Sequence, residues 1–509
     1  MYPERSKVLL SSLALLVRWG VTLWPHSGQA TPPLYGDYEA QRHWQEVTLN
    51  LEVEDWYRNT SDNDLQYWGL DYPPLTAYHS YLTGRLAASL NSSYVSLHSS
   101  RGEESPPHKL FMRLTVLAAD LLVLFPAIFM LSPGSPGSLR TTVTLLAYPG
   151  LILIDHGHFQ YNNISLGLFL AAVGFIMKNR DNVGSVLFVA ALSYKQMELY
   201  HALPFFCLLL GKCLQQKTVS QKLLKLIKIS LSVISAFVII WSPFLYQGPS
   251  SVMDVLTRIF PFNRGLFEDK VANFWCALDV VYKLRQELAI PELAKLCLAT
   301  TFTLSLPANI HLLFYPTNRN FVLGLLNTSL TFFLFSFQVH EKSILLAAVP
   351  LCLLGLVEGD SVVVRLVVPW LLTITTFSML PLLVKDGLLV PSLALSVLYL
   401  TVNNNLQALS TLAQEKASSP IPIPASVPTW TSSLTRLVMI LSLGGCVLIT
   451  LLSQTLPPPV RYPFLWPLIT SVYSAGHFTA ALLTFHLLQF LGAPQDKARH
   501  TRLKEKKLK

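Results

Sequence analysis

Residues 32–80 read PPLYGDYEAQRHWQEVTLNLEVEDWYRNTSDNDLQYWGLDYPPLTAYHS, and this stretch decides how the rest of the chain is read. It holds nine of the 29 acidic residues, Asp37, Glu39, Glu46, Glu52, Glu54, Asp55, Asp62, Asp64 and Asp71, together with Tyr35, Trp44, Trp56, Tyr67, Trp68 and Tyr72. Carboxylates mixed with aromatic rings suit sugar binding and proton transfer. The surroundings are of the opposite character. Of 509 residues 51% are hydrophobic and 13% charged, with a mean hydropathy of +0.44, whereas about a quarter of the residues of a soluble globule are charged. The expectation is an all-α polytopic membrane protein with a large polar loop after its first span.

The net charge of +9 does not point to nucleic acid. The bases gather at the chain ends and in short loops between apolar runs, which is the positive-inside pattern of a membrane protein. Cys207, Cys213, Cys276, Cys297, Cys352 and Cys446 lie in or beside apolar runs, so neither a disulfide framework nor a zinc site is indicated.

Working outward, residues 1–24 are read as a first span. A cleaved leader is the competing reading, since Gly28-Gln29-Ala30 loosely fits a small-x-small site. Arg18 inside the apolar run, and Asp37 so near a cut after Ala30, favour the uncleaved span. Either way residues 25–110 form a loop on the far, luminal side. Asn59-Thr60-Ser61 there is a glycosylation acceptor, and Asn91-Ser92-Ser93 has the same form. Asn163 and Asn327 also head such triplets but sit at or inside apolar runs, where no sugar is expected.

Apolar runs recur at about 111–131, 139–155, 164–178, 183–211, 223–245, 271–283, 290–314, 320–338, 343–358, 362–380, 384–403, 434–454 and 463–491, which gives roughly twelve to fourteen spans. The membrane domain covers 111–415, with a second luminal loop near 246–275 and a polar segment near 338–343. A Pro- and Ser-rich connector, 416–433, precedes the C-terminal spans at 434–491. The basic tail, 492–509, is assigned to the cytosol, and Lys506-Lys507-Leu508-Lys509 has the form of a dilysine retrieval signal.

Several residues could carry chemistry. Asp37 precedes a segment whose Glu39/His43 and Arg42/Glu46 spacing predicts a short helix. It reads either as a helix N-cap or as a general base that the helix dipole keeps ionised. Asp71, before Tyr72-Pro73-Pro74, is either another cap or a second carboxylate. His158 and Gln160, in Asp155–Asn162, suit the polar lining of a pocket at the membrane edge; His156 and His158 are two apart, which supports a metal pair only weakly. Lys195 and Glu198, three apart between apolar runs, are expected to pair, with a site role as the alternative. Arg258 and Arg264 in the second loop, and His340, Glu341 and Lys342 in the polar segment, could bind phosphate or simply face water.

Taken together, YGDYEAQRHWQE, LQYWGLDYPPLTAYHS, SRGEES, GHFQYN, YKQMELYHALPFF, RGLFEDKVANFWC and FQVHEKSILL closely resemble the endoplasmic-reticulum glucosyltransferases of asparagine-linked glycosylation. Within that family they are nearer the member that adds the first glucose to the lipid-linked oligosaccharide than the sibling that adds the second, which differs around YGDYEAQRHW. The resemblance runs from about Ser27 to about Leu346. It implies a GT-C fold, dolichyl phosphate glucose as donor, a dolichyl-diphosphate nine-mannose oligosaccharide as acceptor, membrane lipid as surroundings, and no cofactor or required metal. It places the family's catalytic base on Asp37 and its LDYPP aspartate on Asp71. It leaves Tyr35, Arg42, Trp44, Trp68, Tyr72, His158, Gln160, Lys195, Glu198, Arg258, Arg264, His340, Glu341 and Lys342 as substrate-binding candidates. A transporter or scramblase of lipid-linked sugars is the alternative from another class. It would favour internal repeats and interrupted helices with polar residues near the midplane.

Overall fold

The structure, a computed structural model, describes residues 4–131, 136–260, 270–416 and 429–491. Arg264, most of the connector and the basic tail therefore lie outside the described residues. Among those described the regular elements are all helical. In chain order the helices used below are α1 (Glu4–Thr22), α2 (Gly36–Asn50), α3 (Pro74–Leu90), α4 (Pro106–Met130), α5 (Gly137–Phe159), α6 (Asn162–Met177), α7 (Asp181–Tyr194), α8 (Gln196–Leu214) and α9 (Val219–Gln247). They continue with α10 (Pro249–Ile259), α11 (Ile290–Phe314), α12 (Asn318–Phe335), α13 (Leu345–Cys352), α14 (Leu380–Lys385), α15 (Ser433–Thr455) and α16 (Leu465–Leu491).

Local sequence explains the helix starts. Pro74, Pro106 and Pro249 stand in first turns, where a missing N–H costs nothing. The Thr218 hydroxyl accepts from Gln221 N while the Gln221 side chain accepts from Thr218 N, a capping box that launches α9. Seven helices, α4, α5, α8, α9, α11, α15 and α16, are each long and apolar enough to cross a bilayer, and α6 is shorter but apolar. The apolar runs outnumber these seven because several resolve into short or broken helices. α12 sits at the centre of the bundle, buried along nearly its whole length against α8, α11, α13 and α16. α9 is the contrast: only 11% of its most apolar window is buried, so Leu223, Ile227, Leu231, Ile234 and Val238 face outward as a lipid-contacting surface.

The polar stretch folds as α2 and α3, packed on each other and seated on one end of the bundle. Trp44, Val47, Trp56, Tyr57, Leu70 and Ala77 form a small core with Phe244 of α9 and Val255 of α10.

α4 and α5 each contain a π-helical turn, Asp120–Leu124 and Leu153–Phe159. Such widened turns are frequent at functional sites, and here they collect polar groups inside the bundle. Arg18 of α1, with 0% exposure, pairs with Asp120 and donates to the Leu146 carbonyl at 2.9 Å. His156 Nε2 meets the same Asp120 carboxylate at 3.0 Å, and Asn163 Nδ2 reaches its other oxygen at 2.7 Å. The charge that looked like an interruption of the first span is thus what joins that span to α4.

Removing one partner of such a pair strands a buried charge, at a cost of about 3–5 kcal/mol. Arg18→Met should therefore lower the melting temperature and folded yield in detergent, and Asp120→Asn in the same chain, which removes the stranded charge but keeps an oxygen for His156 or Asn163, should restore part of the loss. An unchanged melting temperature in the single variant would remove this role for the pair.

Candidate active site

Ser27 and Gly28 hold the start of α2. Gly28 (φ +69) and Gly36 (φ +68) lie backbone to backbone, so a Cβ on Gly28 would sit 2.2 Å from the Tyr35 carbonyl carbon. Only glycine permits that approach in that conformation. Ser27 N donates to the His158 carbonyl at 3.0 Å, and Asp37 N donates to Ser27 Oγ at 3.3 Å. The helix is preceded by Tyr35 in the left-handed region, without a side-chain cap. Asp37 is therefore not the N-cap; it stands in the first turn, at the positive end of the helix dipole.

Three donors from distant parts of the chain converge on Asp37 Oδ2: His158 Nε2 at 2.9 Å, Gln160 Nε2 at 2.5 Å, and Lys342 Nζ in a close ion pair. The Asp37 side chain is 20% exposed, so one edge still faces open space. Burial by itself would raise its pKa, but Lys342 and His158 outweigh that and hold the carboxyl well below the usual carboxylate range. Lys342 Nζ also lies 3.2 Å from His158 Nε2. His158 and Gln160 reach one carboxylate because Phe159, between them, takes a left-handed backbone (φ +87) that breaks the helical spacing. His156 turns instead to Asp120.

A cavity of about 960 Å³ opens at this point. Asp37, Trp44, Trp68, Asp71, Tyr72, His158, Gln160, Lys195, Glu198, Arg258, His340, Glu341 and Lys342 all line it. Apolar residues line it as well, among them Phe332, Leu345, Leu346, Pro381, Leu382 and Phe464. Trp44 Nε1 donates to the Trp68 carbonyl at 2.8 Å, and the Trp44 and Tyr72 rings meet edge to face at 5.1 Å. Arg258 clamps the LDYPP segment through the carbonyls of Gly69 and Leu70, at 2.8 and 3.3 Å. The cap before α3 is Pro73, with no side-chain bond, so Asp71 is not the cap; it faces the cavity.

Three expectations need correction. Lys195 and Glu198 do not pair. Lys195 is extended (φ −142), so the spacing between them is not helical; its Nζ meets Asn162 Oδ1 at 2.5 Å and lies 4.6 Å from the Tyr72 ring centre. Glu198 turns to His201 Nδ1 at 2.7 Å and Ser165 Oγ at 2.6 Å. Arg42 and Tyr35 are absent from the cavity wall. Arg42 is fully buried between Glu39 and Glu46, with N···O distances of 2.6 and 2.7 Å, and Tyr35 packs its ring on Gly102. Burial would raise the Glu46 carboxyl, but His43 and Arg42 bring it down to about 2. Among the residues the sequence did not single out are Lys385, which lines the cavity, and Asp386, whose Oδ2 is 2.5 Å from His158 Nδ1.

An all-helical membrane bundle with a polar loop seated on one end, and with an ionised carboxylate beside a lysine and an aromatic-walled cavity, fits a glycosyltransferase that works on lipid-carried sugars. The comparison with known proteins agrees: residues 12–484 match the ALG6, ALG8 glycosyltransferase family, and the chain belongs to it. It is 46% identical over 493 residues to the probable dolichyl pyrophosphate Man9GlcNAc2 alpha-1,3-glucosyltransferase of Drosophila melanogaster, covering 96% of this chain and 99% of that one. It is likewise 46% identical to the dolichyl pyrophosphate Man9GlcNAc2 alpha-1,3-glucosyltransferases of Gallus gallus, over 94% of this chain and 95% of that one, and of Mus musculus, over 96% of each. The chain is thus a multi-pass membrane glycosyltransferase, although, as a transporter also would, it buries polar residues within apolar helices.

If Arg42 only holds α2 together, Arg42→Lys, which loses the forked contact with two carboxylates, should cost about 1–3 kcal/mol of stability. The KM for either substrate should stay unchanged in the protein that remains folded. A donor KM raised tenfold at wild-type stability would return Arg42 to the substrate site.

Proposed function

We propose that this protein transfers glucose from dolichyl phosphate glucose to the terminal mannose of a dolichyl-diphosphate-linked nine-mannose oligosaccharide, with inversion, to give an α-1,3 bond. The observation that carries the reading is the Asp37 carboxylate, kept ionised on the wall of a cavity lined by aromatic, cationic and apolar side chains. The names of the animal relatives cited above support the choice of acceptor and linkage. The reading places the Asp37 loop in the lumen of the endoplasmic reticulum and the C-terminus in the cytosol.

Asp37 is the general base. The acceptor hydroxyl oxygen bonds to the anomeric carbon as its proton passes to Asp37. The bond from that carbon to the phosphate oxygen breaks, and its electron pair leaves with dolichyl phosphate. A phosphate monoester is a stable anion, so the leaving group needs positive charge nearby and no proton. Lys342 supplies that charge, with Arg258 as a further cation and His340 as a polar neighbour at the cavity wall. Lys342 Nζ is paired with the base itself. Incoming donor phosphate competes for the same ammonium and so returns basicity to Asp37 as the leaving group is neutralised. Trp44, Trp68 and Tyr72 offer faces for sugar rings, and Asp71 is the second carboxylate available for sugar hydroxyls.

Purified protein in lipid, given dolichyl phosphate glucose with an acceptor bearing either no glucose or one, tests this directly. Asp37→Asn should lose at least about a thousandfold in kcat while still folding, and Lys342→Met should raise the donor KM. Full activity in Asp37→Asn removes the base, and transfer to the already glucosylated acceptor alone points to the sibling reaction. Topology is checked separately. Asn59 is exposed, so endoglycosidase treatment of protein from microsomes should shift its gel mobility, and Asn59→Gln should abolish the part of the shift due to this site. No difference between Asn59→Gln and wild type would argue against a luminal sugar at Asn59.

A further inference from the structure

Asp386 follows α14 directly and precedes Gly387, a place where an Asp-Gly pair ordinarily marks only a turn. Its carboxylate does something else. The side chain is 4% exposed, and Oδ2 lies 2.5 Å from His158 Nδ1; His158, itself 2% exposed, presents its other nitrogen to Asp37 at 2.9 Å. A carboxylate, an imidazole and a second carboxylate, from α14, α5 and α2, stand in a row that spans almost 350 residues of chain.

We propose that Asp386 is a positioning residue for the transfer reaction: acting through His158, it turns Asp37 so that Oδ2 is held by protein donors and Oδ1 is left to the acceptor hydroxyl. The proposal rests on Asp37 being the base. Ionised carboxylates only accept hydrogen bonds, so an imidazole between two of them is satisfied when both of its nitrogens carry hydrogen. Asp386 thereby fixes which way the ring faces and ensures that Nε2 donates to Asp37. The contacts from His158, Gln160 and Lys342 all fall on Oδ2. The left-handed backbone at Phe159 is the local strain that brings His158 and Gln160 to the same oxygen.

The charges around His158 make Asp386 more than a spacer. Facing the ring are Asp37 from α2, Lys342 from the turn before α13, with Nζ 3.2 Å from Nε2, and Asp386 itself. Arg113 of α4 turns to the backbone, donating to the carbonyls of His156 and Gly157 at 2.5 and 3.1 Å. With Lys342 so near, a charged imidazole needs both carboxylates. Taking away Asp386 leaves His158 beside Lys342 with a single carboxylate, and its grip on Asp37 weakens.

The test is a double-mutant cycle on the full-length purified enzyme in lipid, with Asp386→Asn, His158→Gln and the pair, each checked for folding by thermal melting. Asp386→Asn should lower kcat by about 10- to 100-fold while the KM values of donor and acceptor stay within about threefold. The acid limb of its kcat–pH profile should move to higher pH, because a less firmly held Asp37 takes up a proton more readily. In the His158→Gln background the same change should cost less than about threefold, since the two residues act in series. Asp386→Glu, which keeps the charge, should retain the wild-type pH profile at reduced kcat, and it serves as the readout if the Asn variant does not fold. Wild-type kcat and pH profile in Asp386→Asn, fully multiplicative losses in the pair, a loss confined to KM, or a shifted profile in Asp386→Glu would each overturn the proposal. An inactive Asp37→Asn beside a wild-type Asp386→Asn rejects the positioning role alone, whereas an active Asp37→Asn rejects the base.

Discussion

A carboxylate drawn out of bulk water must be met by donors or it takes up a proton. Asp37 is met by His158, Gln160 and Lys342, contributed by segments 121 to 305 residues away. That requirement orders much of the molecule around it. The α2 helix must begin where Gly28 and Gly36 touch, α5 must end in a widened turn, and the segment before α13 must return to the same point. None of these conditions is local, so the bundle has to be assembled before the site exists.

The solvation of Asp37 continues inward as a chain of polar contacts. Gln160 Oε1 accepts from Lys195 at 3.4 Å, Lys195 donates to Asn162 at 2.5 Å, and Asn162 donates to Asp155 at 2.7 Å. Asn163 N donates to the other Asp155 oxygen, and its side chain donates to Asp120, which is paired with Arg18. Each link is buried, and a buried polar group that loses its partner is expensive. The first helix and Asp37 are therefore parts of one hydrogen-bonded structure, and the placement of that carboxylate is inherited from contacts well inside the apolar body.

How much of this could be read from residues alone depends on the range of the interaction. The helix over α2, the apolar helices and the polar residues at His158, Gln160 and Lys342 follow from local pattern. The Arg42/Glu46 pair follows from four-residue spacing, but an ion pair and a substrate contact leave the same trace in sequence; only the complete burial of Arg42 between Glu39 and Glu46 sets it apart from the cavity wall. Lys195 and Glu198 were paired on helical spacing that one extended residue cancels. Asp386 carried no signal, since an aspartate before glycine reads as a turn, and its partner lies 228 positions away. Contacts of that length are written in the fold, not in any window of sequence.

The helix α9 has 29 residues, about 43 Å at 1.5 Å per residue, against a hydrocarbon layer of roughly 30 Å. It cannot stand upright with its whole length in hydrocarbon; it leans, or its ends rise through the headgroups. Near one end Phe244 is wedged between Trp56 and Tyr57, and the Ile240 carbonyl accepts from the Tyr78 hydroxyl at 2.8 Å. The polar loop that carries Asp37 is thus moored to a long helix whose lean is settled jointly by the lipid and by the helices packed against it.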